Sequence, residues 1–164
     1  MIFKIIFLFF PILLLVASTM CYKKNCRMMQ NFYLRMVFSH YFRKLYTLLL
    51  LMVILVFCFM AYQVQPNKIG AHVMALLALL LFKFSYADKL LHRLHDDKKL
   101  CTFTFTASLV FIFTPHLYTL GVIVGFLIVA SIYYPSYRII FKAQCPDSGR
   151  HLVQCPEDIV NFYF

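Results

Sequence analysis

The chain has 164 residues, of which 63% are apolar and only 13% charged, where an ordinary soluble domain has about a quarter of its residues charged. A soluble chain this short cannot hide so much apolar surface in one core, so lipid must solvate much of it. The formal charge of +10 therefore reads first as a topology signal and only second as a nucleic-acid footprint, and nucleic acid is not an expected partner.

Residues 2–20 form the first apolar segment, broken only by Lys4 and small hydroxyls. A competing reading makes it a signal peptide, with Lys4 as the basic region, Ile5 to Val16 as the apolar region and Ala17-Ser18 as the cleavage zone. That reading would export the basic stretch that follows and invert every later loop.

The stretch 21–44 carries six basic residues and no acidic one. From position 27 to 44 it predicts one amphipathic helix. Arg27, Asn31, Arg35, Ser39 and Arg43 recur every four residues as a polar ridge, and Met29, Phe32, Tyr33, Met36 and Val37 fill the opposite face. Such a helix lies in the membrane interface, with Arg27, Arg35, Arg43 and Lys44 on anionic head groups. Arg35 and His40 also fit an R-x4-H spacing, which resembles the catalytic motif of HEPN-type ribonucleases. The resemblance covers six residues of the chain, and no other part of the sequence matches that family.

Residues 45–63 are the cleanest span and residues 69–86 a third. The small residues Ala71 and Ala75 in the third suit close helix packing. The segment 88–100 predicts a short cytosolic helix with Asp88, His92 and His95 at i, i+4 and i+7 on one face. Two imidazoles and a carboxylate suit zinc or iron, with Asp96 or Asp97 orienting a ring nitrogen. The plainer reading is a solvated polar face, and no cofactor is required by composition.

Residues 101–114 and 117–135 form a pair split by Pro115-His116, either two crossings or a re-entrant hairpin. Gly121 and Gly125 make a GxxxG motif for close packing. Domain 1–135 is thus the membrane part, and 136–164 is a short cytosolic tail. Cys145, His151 and Cys155 in the tail, joined by Cys21 or Cys26, are a second candidate zinc set.

Of the sixteen Lys and Arg residues, only Lys4 and Lys68 fall away from the side holding 21–44, 88–100 and 136–164. This asymmetry predicts five crossings in a plasma or inner membrane, with the N-terminus outside and the C-terminus in the cytosol. Cysteines on the cytosolic side are then reduced thiols rather than bridges. All six acidic residues also lie on that side, which disfavours a proton-coupled transporter. The expected fold is an all-α polytopic bundle of about five transmembrane helices with a basic interfacial helix. The expected function is non-enzymatic: an accessory or scaffold subunit that self-associates, forms a pore, or docks a membrane protein partner. The other classes are a metal-dependent membrane enzyme using Asp88, His92 and His95, and a channel or transporter.

Overall fold

A computed structural model describes residues 2–21, 26–64, 73, 78–79, 81–114, 116–145, 152, 159 and 163, with the side chains of 2–8 and 19 outside that description. Ala71, Ala75, His151, Cys155 and most of the third apolar segment lie outside the described residues. Among the described residues the chain is all-helical, without strands. The elements are α1 (Ile2–Cys21), α2 (Arg27–Phe38), α3 (His40–Val64), α4 (Phe84–Asp96), α5 (Lys98–Phe113), α6 (Tyr118–Ile132) and α7 (Tyr137–Gln144).

Two helical stretches among the described residues are long and apolar enough to cross a membrane, with mean hydropathies of 2.6 and 1.7. The first is α3, whose 25 residues span about 37 Å at the helical rise, enough for a hydrocarbon core of about 30 Å. The second runs from Tyr118 to Gln144, through the bend at Pro135 that separates α6 from α7. In α1, the part Phe9–Ser18 is a shorter apolar helix.

The predicted helix over 27–44 is instead two helices, and the reason is capping. Ser39 leaves helical geometry at φ −109° and ψ 110°. Its hydroxyl accepts from the Phe42 N–H at 3.2 Å and so starts α3. Arg43 does not extend the outer polar ridge. Its guanidinium turns back and donates to the Met36 and Val37 carbonyls, both at 3.1 Å, which satisfies orphan acceptors at the end of α2. Arg27, Arg35 and Lys44 are exposed as expected. His40 opens α3 beyond the break, packed edge-on against Phe84, so Arg35 and His40 do not share a helix.

The predicted helix over 88–100 is likewise split. The Asp97 carboxylate accepts from the Lys99 and Leu100 N–H groups at 3.0 and 3.3 Å and caps α5. Ser136 caps α7 in the same way, accepting from Ile139 N–H at 3.3 Å.

Long-range contacts fix the helix directions. Phe126 of α6 meets Phe10 of α1 at 6.2 Å and Phe57 of α3 at 5.5 Å, both edge-on. One end of the bundle is marked by Tyr133, which donates to the Ser18 carbonyl, and by Tyr46, which donates to the Ala130 carbonyl at 3.1 Å. Hence α1 and α6 run the same way and α3 runs opposite. The described parts of segments 21–44, 88–100 and 136–164 gather at this same end.

Helices α5 and α6 form an antiparallel hairpin around Gly121. A Cβ there would stand 2.7 Å from the Ile112 backbone nitrogen and 2.9 Å from the Ser108 carbonyl oxygen. The Ser108 hydroxyl donates to the Gly121 carbonyl at 2.8 Å inside the contact. A Cβ on Gly125 would meet only the Ser108 hydroxyl, at 3.6 Å. The GxxxG motif thus packs within the chain. Gly121→Ala should therefore cost about 1–3 kcal/mol by overpacking against immobile backbone, whereas Gly125→Ala should be near neutral. Thermal unfolding of the two variants in detergent measures the difference; equal melting temperatures would remove Gly121 from the contact.

Candidate functional site

The basic end of the bundle holds a polar cluster assembled from α3, α4, α6 and α7. Helix α4 supplies it because its apolar stripe, Ala87, Leu91 and Leu94, is buried, and Asp88 and His92 flank that stripe one turn apart. The His92 ring is almost fully buried. Its Nε2 lies 3.5 Å from the Asp88 Oδ1. It stacks on Tyr137 at 3.9 Å between centroids and meets Tyr134 edge-on at 4.8 Å. The Tyr134 hydroxyl donates to the same Asp88 oxygen.

Burial of Asp88 works against its charged form. Hydrogen bonding from His92 and Tyr134, with the nearby positive charge of Arg43, outweighs that and holds the carboxyl below the usual carboxylate range. The His92 Nδ1 and the Arg43 Nε are buried without a hydrogen-bond partner among the described residues.

His95 does not join this pair. Its Nδ1 lies 2.9 Å from the Ser131 carbonyl. A carbonyl only accepts, so that nitrogen carries its proton and is not a ligand atom. Asp96 accepts from the Tyr137 N–H at 3.4 Å and Asp97 caps α5, so neither orients an imidazole. Among the described residues, no group of three or more His, Cys, Asp or Glu side chains is placed to hold a metal ion. Asp88 and His92 come together, and His95 is held a turn away. In the second candidate set, Cys145 is exposed just past α7, and its partners His151 and Cys155 lie outside the described residues. Cys21 and Cys26 are half-buried thiols.

Tyrosines are the part of this end to which the sequence reading gave no site role. Tyr163, buried, donates to the Tyr133 carbonyl at 2.6 Å and packs against Tyr33 at 4.5 Å. Its ring also faces His95 edge-on at 6.2 Å, and burial, first of all, pushes its hydroxyl well above the usual tyrosine range. The tail residue thereby ties α2, α4 and the end of α6 together. The available signal was the pair Tyr133-Tyr134 immediately before Pro135, where a helix must end and side chains can turn inward. No protein family model, no curated protein and no solved structure matches the chain.

Chemically, the cluster is a half-buried carboxylate that accepts from a buried phenol and faces a buried imidazole, and these contacts tie α4 to the chain just past α6. Tyr134→Phe removes a hydrogen bond to a charged acceptor and should lower stability by about 1.5–3 kcal/mol, measurable by denaturation in detergent. The pH dependence has a definite sign. A folded-state pKa below the unfolded value of about 3.9 gives stability that is present above that value and lost as pH falls through the folded pKa. The melting temperature should drop below about pH 4, and Asp88→Asn should flatten that part of the profile; an unaltered profile would show that Asp88 is not the titrating group.

Proposed function

We propose that the chain is a five-span, non-enzymatic accessory or scaffold subunit of a plasma or inner membrane. Its N-terminus is outside, its C-terminus is cytosolic, and its basic end rests on anionic head groups. The observation that carries this reading is the division of the surface. The outward faces of the long helices are apolar, with Phe9, Leu13, Leu48, Met52, Phe59, Phe103 and Phe113 all exposed, while the exposed basic residues Arg27, Arg35, Lys44, Lys89, Arg93 and Arg138 gather at one end. An apolar exterior of this extent suits lipid contact, and a basic end suits the cytosolic leaflet.

Two features support a bundle of membrane-crossing helices. Helices α1 and α6 run parallel and α3 runs antiparallel to both, as the first, second and fifth segments of an alternating bundle would. The hydroxyls of Thr102, Thr104 and Thr106 on α5, and of Thr114 at its C-cap, each donate to the carbonyl four residues back, at 2.7–3.0 Å. Exposed hydroxyls satisfied within their own helix suit a lipid-facing segment. The engaged state of Asp88, His92 and Tyr134 supports a structural rather than catalytic role for the polar cluster.

Topology is tested with a membrane-impermeant maleimide. Cys145 should label only after permeabilisation, with Cys145→Ser as its control, while Asn67→Cys in the predicted external loop should label in intact cells. Labelling of Cys145 in intact cells would overturn the orientation.

A further inference from the structure

An apolar cavity of about 380 Å³ lies between α1, α2, α3 and α6. Its deep end is walled by Leu14, Val53 and Phe126 and its shallow end by Cys21, Tyr46 and Tyr133, about 10 Å apart along each helix. The shallow end is the basic end of the bundle. Polar groups on its walls are already engaged. Ser18 donates to the Leu15 carbonyl at 2.8 Å, Tyr133 to the Ser18 carbonyl and Tyr46 to the Ala130 carbonyl. Water needs two to four polar partners to stay in such a space, so these walls favour an apolar occupant.

The exposed lining residues mark a sideways opening of the cavity. Two of its lining residues, Ala17 on α1 and Leu49 on α3, are exposed, Leu49 to 55%. Leu13, one turn from Ala17, and Met52, one turn from Leu49, are exposed too.

We infer that this cavity is a lipid site, holding one acyl chain of a bilayer phospholipid that enters between α1 and α3. The inference rests on the membrane reading above. An open apolar void beside lipid chains loses dispersion contacts unless a chain fills it, and its volume is within the range of small-molecule sites.

The test is native mass spectrometry of the full-length protein released from mild detergent. The wild type should retain about one phospholipid per chain, one molecule per cavity. Ala17→Phe fills the portal, and excluding even two methylene groups lowers affinity about tenfold, so the bound species should largely vanish. Val110→Phe, on an exposed face of α5 that does not line the cavity, should retain lipid as the wild type does. The inference is overturned if the wild type carries no lipid, if Ala17→Phe carries as much as the wild type, or if the adduct is a hydroxylamine-labile acyl thioester absent from Cys21→Ser. Alkaline carbonate extraction separates this from the membrane reading: a chain that stays in the membrane pellet yet binds no lipid rejects only the site.

Discussion

In the membrane-spanning arrangement proposed above, a backbone surrounded by hydrocarbon has no water to satisfy it, a constraint that would order the rest of the structure. The chain answers it with helices alone among the described residues. Hydroxyls sit against carbonyls of their own helix along α5, and the exposed basic side chains among the described residues gather at one end. The caps at Ser39, Asp97 and Ser136, and the Arg43 guanidinium on the last carbonyls of α2, all lie at that end. Helix breaks there leave polar backbone groups that side chains must satisfy. At the opposite end, the α5–α6 turn is short, and close packing around Gly121 holds the hairpin.

The same end collects the aromatic side chains whose rings are apolar and whose hydroxyls are not. Tyr46, Tyr133, Tyr134 and Tyr163 each bury a ring among the helices and place the hydroxyl on a carbonyl or carboxylate of a different element. They bridge α1, α3, α4 and α6 by hydrogen bonds at long sequence separation, while Phe10, Phe57 and Phe126 bridge α1, α3 and α6 by ring contacts deeper in the bundle. Asp88 belongs to this scheme. Its carboxylate stays charged because His92, Tyr134 and Arg43 face it, and it draws the start of α4 onto the end of α6.

Hydropathy made the helical class and the two helical stretches long and apolar enough to cross a membrane legible in the sequence, because it depends only on local composition. The i, i+4 spacing of Asp88 and His92 predicted a real contact. The i+7 partner failed because His95 answers to Ser131, 36 positions away, and periodicity carries no information about that. The breaks at Ser39 and Asp97 were missed for a different reason. Both residues fit the polar face of a continuous helix as well as they fit a cap, and only the side-chain hydrogen bond to the following turn decides between them. Gly121 and Gly125 were recognised as a packing motif. Their unequal weight depends on the Ile112 backbone across the hairpin, which the motif does not specify.

The central claim is that lipid, not water, solvates the outer faces of the long helices. Spin labels placed singly at Leu48, Met52, Leu55 and Phe59 of α3, in liposomes, measure it most directly through collision with oxygen and with a water-soluble nickel chelate. Oxygen should reach all four sites and the chelate should be excluded, most strongly toward the middle of the helix. Ready collision with the chelate along the whole of that face would place α3 in water and contradict the account.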